Sequence, residues 1–333
     1  MSDIFKALES FEKDVNVANY AGPIPSSLLA RQDLEAAIVK LTNRATPLRD
    51  VVSRVKGDGR AHLWNQRTQL DPSAASLTVN AFYADGALPT QSDGTYVQKT
   101  AAYKYLGYTG VVTGPMVASG RSFTDILAEI AEARLREVIQ AEEWAMFHGN
   151  STTNALMFDG LDAQLTTNLL DKAGAAIAIT DIWKIIKNIR NQGGISTHIF
   201  CSFGVQNQIN SLLLGDSRVV INQGTTVTAG VNVNNIQTPV GALPLVGDFF
   251  INPASPYPYN SAGTSSGTSG SSTSNMYVLQ VPEIEMVDLM PIGRTELAKI
   301  ADTVRFYINE YTVMAVKAEP WQGVIQNISD PTS

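Results

Sequence analysis

Few side chains in this sequence have the types and spacing that chemistry requires. The three histidines, His62, His148 and His198, are far apart, so no pair has the short spacing of a local zinc motif, and no metal site is expected. Cys201 is the single cysteine. It ends an apolar run, His198-Ile199-Phe200-Cys201, and reads as a buried structural thiol rather than a nucleophile. Glu142 and Glu143 offer two neighbouring carboxyl groups for acid/base work, but adjacent helical positions diverge, so a solvated or subunit-facing role is expected. Asp159 or Glu142 in a cleft would be the acidic residue of an enzyme reading. Neither a GxxxxGK[ST] loop nor a GxGxxG turn opening a helix accompanies them, so no catalytic residue and no cofactor is expected.

The cluster Tyr96, Tyr103, Tyr105 and Tyr108, with Lys99 and Lys104 among them, could stack single-stranded bases. A net charge of −7 and a pI of about 5.0 oppose broad phosphate contact. Packing within a hairpin is therefore the expected role. An acidic chain can enclose nucleic acid without gripping it.

The elements that must position these groups follow from length and periodicity. A chain of 333 residues, 44% hydrophobic, has room for two lobes or one domain with long excursions. No apolar run approaches membrane-spanning length, and the start, Met1-Ser2-Asp3-Ile4-Phe5-Lys6, does not read as a secretory signal. A lone cysteine fits folding in a reducing cytoplasm. Residues 1–26 read as an arm ordered by a partner. Leu28, Leu29, Leu34, Ala37, Ile38 and Leu41 predict a helix that Thr46-Pro47 ends.

Over residues 66–117, Asp85-Gly86, Pro89 and Asp93-Gly94, with apolar residues at odd positions from Val97 to Tyr105, predict a hairpin that projects and leans on a neighbour. Ser122-Phe123-Thr124-Asp125 resembles a capping box for a helix over Phe123–Phe147, about 37 Å long. Thr180 is expected to cap a second helix, which Gly193-Gly194 ends before the strand His198–Cys201. A further helix runs from Ser202 to Leu214, with strands expected in Val227–Val233 and Leu243–Ile251. Residues 260–275 are Ser/Thr/Gly-rich and read as a surface loop. Strands are expected over Met276–Val287 and Val304–Ala318, the latter alternating at Val304, Phe306 and Ile308 and, after a slip, at Tyr311, Val313 and Ala315, before a close at Trp321 to Ile328.

The order of these parts carries a resemblance, and the wording within them agrees. Ala45-Thr46-Pro47-Leu48, Leu63-Trp64-Asn65, Glu142-Glu143, Phe147-His148-Gly149-Asn150 and Asp159-Gly160-Leu161 are followed by Leu297-Ala298-Lys299-Ile300-Ala301-Asp302 and Tyr307-Ile308-Asn309-Glu310-Tyr311-Thr312. Ala318-Glu319 and Gly323-Val324-Ile325 close the series. Together they resemble the major capsid proteins of tailed double-stranded DNA bacteriophages. The resemblance implies an α+β chain of the Hong Kong 97-like fold. It implies an N-terminal arm (1–65), an extended loop (66–117), a peripheral domain with a long spine helix (118–168 and 286–333) and an axial domain (169–285).

It also implies self-assembly into pentamers and hexamers, an icosahedral shell around the viral genome, and expansion by rigid-body rearrangement as the spine straightens. Scaffolding and portal proteins, and in some relatives decoration proteins, would be partners. A scaffold is expected as a separate chain. Synthesis in the host cytoplasm and residence in the virion follow. Tyr96, Lys99, Tyr103 and Tyr105 are the expected contacts with an adjacent subunit. Lys99 and Lys104 lie in the loop that some relatives cross-link to Asn, without a marked partner here. An encapsulin-type nanocompartment shell protein is the alternative within the same fold.

Overall fold

Pro47 opens a helix rather than closing one. Its fixed φ and missing N–H suit the first turn, where the N–H would be unpaired in any case, and helix α1 runs over Pro47–Val51. The computed structural model describes residues 43–69, 82–88, 94–120, 125–215, 235–251, 273–299 and 301–330. The expected helix over 28–41 and the strand in Val227–Val233 lie outside them, as does the Ser/Thr/Gly tract up to residue 272.

After α1 come β1 (Ser53–Lys56), β2 (Ala61–Gln69), β3 (Thr95–Ala102), β4 (Lys104–Thr113) and α2 (Gly114–Gly120). Helix α3 (Ile126–His148) starts at Asp125, whose carboxylate accepts the N–H groups of Leu127 and Ala128 at 3.1 and 3.2 Å. Its 23 residues span about 34 Å at 1.5 Å each. The helix stops where two backbones cross. Gly160 N–H donates to Gly149 O at 2.8 Å, and a Cβ on Gly160 would stand 2.5 Å from Ala145 O. Both glycines are required by this approach.

Helix α4 (Leu161–Gln164), β5 (Leu169–Asp171), α5 (Ile179–Asn191), β6 (His198–Cys201), α6 (Phe203–Gly215), β7 (Asn235–Thr238), β8 (Gly241–Gly247) and a 3-10 turn at Phe249–Ile251 follow. Helix α5 starts two residues earlier than a cap at Thr180 suggests. Its N-cap is Ala178, whose N–H is accepted by the Asp181 carboxylate at 3.1 Å. At the other end Gly193, at φ +95°, and Gly194 return N–H bonds to Arg190 O and Ile189 O, the pairing of a Schellman motif.

The chain ends with β9 (Thr273–Leu279), β10 (Ile284–Leu297), β11 (Thr303–Val316) and β12 (Gly323–Ser329). Thr273, Ser274 and Asn275, expected within the loop tract, open β9 instead, because their backbone pairs with β12.

One sheet has the order β1-β10-β11-β4, with β1 parallel to β10 and the other pairs antiparallel. A second has the order β5-β12-β9-β6-β8-β7. Strands β2 and β3 form a separate two-stranded ribbon. In β6 and β9, Phe200, Tyr277 and Leu279 enter one core with Met146 and Phe147 of α3, while Ile199, Cys201, Met276 and Val278 enter another with Ile182, Ile185, Ile186 and Ile189 of α5. The centre of the second sheet, β6 and β9, is thus buried on both faces, which explains the unbroken apolar run Met276–Leu279. Leu127, Ile130, Ala131 and Leu135 in the first half of α3, and Val138 at its middle, pack with Phe306 and Ile308 of β11.

Three sets of pairings cut across the expected domains. Strand β12, expected with the spine in 286–333, pairs with β5 and β9 in the six-stranded sheet. Strand β1, expected in the arm, adds to the sheet of β10 and β11. Likewise β4, expected in the hairpin, pairs along its length with β11, and β2 begins at Ala61, before the expected boundary at 66.

Candidate assembly surface and the charged junction beneath it

The ribbon pairs antiparallel from Ala61 opposite Ala102 to Gln69 opposite Thr95. Successive side chains alternate between its two faces. Trp64, Lys99 and Ala101 share the face turned to the body of the subunit. With Phe158, Met314 and Pro320 they line a groove of about 540 Å³. Leu63 and Tyr96 stand on the opposite face, 56% and 68% exposed. Phe82, Tyr83 and Leu88, between the two strands in sequence, are exposed as well. The Gln66 side-chain amide donates to Lys317 O and ties the ribbon to the body.

The four expected contact residues do not share a surface. Tyr96 faces outward and Lys99 faces the groove. Tyr103 is a correction: at 6% exposure it lies in the subunit's own core, against Gly57 and Val287, because the chain leaves the ribbon there and crosses into β4. Tyr105 is exposed on β4, with its ring 4.8 Å edge-on to Tyr311. Lys104 donates its ammonium to Ala155 O, whereas Lys99 stays exposed.

Below the ribbon the paired glutamates of α3 are wholly buried, not solvated or subunit-facing. Diverging directions on the helix give them separate partners. Glu143 accepts the N–H groups of Leu48 and Arg49 at 2.7 and 2.8 Å, capping α1 from 95 residues away. Burial first, and then the neighbouring Asp248, push the Glu143 carboxyl well above the usual carboxylate range. Asp248 Oδ2 is itself buried without a hydrogen-bond partner.

Glu142 binds Arg49 Nε at 2.5 Å and also Arg54. Arg54, from β1, reaches Asp288 of β10 at 3.0 Å and Glu310 of β11 at 2.5 Å. Burial opposes the charge of the Arg54 guanidinium, and the neighbouring acidic groups, Glu142 foremost, more than offset it. One side chain thereby joins the long helix to three strands.

The register of β11 explains how Glu310 comes inside. Phe306, Ile308, Glu310 and Thr312 are all buried, so the inward alternation continues through Glu310 without the expected slip at Tyr311. A glutamate on that inward parity was the available signal for a buried acid in need of a cation. Arg54 and Asp288 had no comparable local signal, since they meet only through the pairing of β1 with β10.

His148 ends α3 in a second polar cluster. Its Nδ1 lies 2.6 Å from Asp162 Oδ2, and its Nε2 lies 3.0 and 3.1 Å from Phe250 O and Ile251 O. Asp162 also accepts from the Tyr277 hydroxyl at 2.6 Å and the Asn275 amide at 3.1 Å. The cluster joins the helix end to β9. Asp159 accepts Ser151 N–H at 2.7 Å and lines the groove. Cys201 is fully buried, as its apolar run predicts, and burial raises its thiol pKa. Burial also lowers the His198 pKa.

A long helix laid across a sheet, a two-stranded ribbon and an α/β lobe define a shell-subunit fold. It matches the capsid of a native GTA particle with a TM-score of 0.68 at 10% identity, covering 93% of this chain and 99% of that chain. The cyanophage A-1(L) capsid asymmetric unit matches with a TM-score of 0.65 at 14% identity, covering 91% and 98%. The holo-SrpI encapsulin complex from Synechococcus elongatus PCC 7942 matches with a TM-score of 0.60 at 9% identity, covering 94% and 98%. The fold is that of the Hong Kong 97-like capsid subunits.

The chain belongs to the SU10 major capsid protein family, whose family model matches residues 11–329. It is a major capsid protein of a phage virion. No curated protein matches it. Among the described residues no helix is long and apolar enough to cross a membrane.

Proposed function

We propose that this chain assembles with itself, as pentamers and hexamers, into a closed icosahedral shell around double-stranded DNA, acting as a structural subunit rather than an enzyme. The ribbon carries the reading: a two-stranded sheet exposed on its outer face is marginal in water unless a neighbour covers it. Leu63 and Tyr96 on that face, with Tyr105 on the adjoining β4, offer apolar and aromatic area to an adjacent copy, and Lys99 lies at the groove between ribbon and body. The ribbon of β2 and β3 would be the extended loop. The four-stranded sheet with α3 would be the peripheral domain, and the six-stranded sheet with α5, α6 and β12 the axial domain.

An acidic chain, net −7, fits a container that does not grip its DNA. Scaffolding, portal and decoration proteins are the expected partners, and the host cytoplasm is the expected place of synthesis. The encapsulin alternative shares only the fold, while the family match favours the viral shell.

Tyr96→Asp tests the contact face. A charge placed in a covered aromatic contact costs at least about 1.4 kcal/mol per interface, which is tenfold in the association constant. The concentration at which shells form, read by light scattering, should rise by about tenfold or more, with unchanged unfolding of the free subunit. Unchanged assembly would remove Tyr96 from the contact.

A further inference from the structure

The junction around Arg54 has an imbalance that its hydrogen bonds do not remove. Two guanidinium groups, Arg49 and Arg54, face three carboxyl groups, Glu142, Asp288 and Glu310. The side chains of Glu142 and Glu310 are fully buried. Glu310 gives one oxygen to Arg54, while its Oε2 is buried without a hydrogen-bond partner. A charged carboxylate oxygen in that position is costly, and a second buried carboxylate nearby adds to the cost.

We propose that the junction is a proton-operated clamp: Glu310 holds a proton in the closed fold, and losing it sets buried carboxylates against each other and loosens the attachment of the C-terminal half of α3 to β1, β10 and β11. With that proton in place, two cations meet two anions and the cluster is neutral. The device lies within one subunit and does not depend on how copies assemble.

The neighbouring elements leave few other groups to set the charge of Glu310. Helix α3 presents Glu142, whose other oxygen is held by Arg49 of α1, and β1 presents Arg54. Strand β10 presents Asp288, which also accepts the Thr312 hydroxyl at 2.7 Å. Strand β4 places Leu106 opposite Glu310, and its Lys104 is turned to Ala155 O. In agreement, Glu310 is pushed up to about 7, by burial first and then by Glu142, with Arg54 opposing.

The sign follows from linkage. An acid whose folded pKa is raised stabilises the fold fully below its unfolded value, 4.5 for Glu310. That stability is lost as pH rises to the folded value and changes no further above it.

The test is hydrogen exchange of residues 138–148 in the purified full chain, at several pH values from 5 to 8, with light scattering confirming one assembly state. After correction for intrinsic exchange, opening should rise by roughly tenfold per pH unit between 5 and 7 through Glu310, then level off. Glu143 and Asp248 also favour protons, so the readout is the difference made by Glu310→Gln. That variant should lose about one proton of slope and open less than wild type at pH 8. Parallel slopes would overturn the proposal. If the variant does not fold, Asp288→Asn decides, because removing one repelling charge should move the levelling point to lower pH. An unmoved levelling point would overturn the clamp.

Discussion

Replacing Arg54 by methionine is expected to lower the unfolding free energy of the subunit by about 3–5 kcal/mol near pH 8, the cost of stranding buried charges whose partner is removed. Arg54 is the cation shared by Glu142, Asp288 and Glu310, from α3, β10 and β11. Methionine fills much of the same volume, so the loss reads the charges and not a cavity. For a chain of this size the melting temperature of the unassembled subunit should fall on the order of 10 °C. Acid should narrow the gap, since carboxyl groups without their cation take up protons more readily. The double variant Arg54→Met with Glu310→Gln should recover part of the loss at pH 8. Equal losses at pH 5 and pH 8 would mean that Arg54 matters for packing alone.

Excising the ribbon should abolish assembly and leave the subunit folded. Ala61 and Ala102 are directly paired, so an Asn-Gly turn can replace residues 62–101 without moving either flank. Both large cores are built almost wholly outside the ribbon. Among the described residues of the ribbon, only Trp64 and Ala101 reach the edge of one of them. The excised chain should therefore unfold cooperatively with a modest loss of stability, and should stay unassembled at concentrations where the full chain forms shells. Shells of normal size from the excised chain would remove the ribbon from the assembly surface. Collapse of the fold would show that the ribbon belongs to the subunit's own core.

The local elements were legible because local physics makes them. Gly193-Gly194 ends α5, and the apolar run His198–Cys201 forms a strand; the capping box expected at Ser122–Asp125 put Asp125 inside α3, whereas Asp125 is its N-cap and the helix starts at Ile126. What the sequence hid depends on residues far apart in the chain. Pro47 looks like a helix stop until Glu143, far along the chain, accepts the amides of the turn that Pro47 opens. Glu142 and Glu143 look solvated because burial of a charge depends on its partners, and Arg49 and Arg54 precede them by about 90 residues. Tyr103 continues the odd-numbered pattern of the ribbon, yet the chain changes sheets at that residue. The place of β12 beside β5 and β9 reflects strand pairing, which an apolar pattern alone does not specify.

Closure of this chain on copies of itself is open to direct observation. Electron microscopy of the purified full chain, paired with its light-scattering mass, tests that most directly. Closed shells are expected, or pentamers and hexamers that convert to shells when a scaffold is supplied. A monodisperse monomer at every concentration and salt, even with a scaffold present, would contradict that closure.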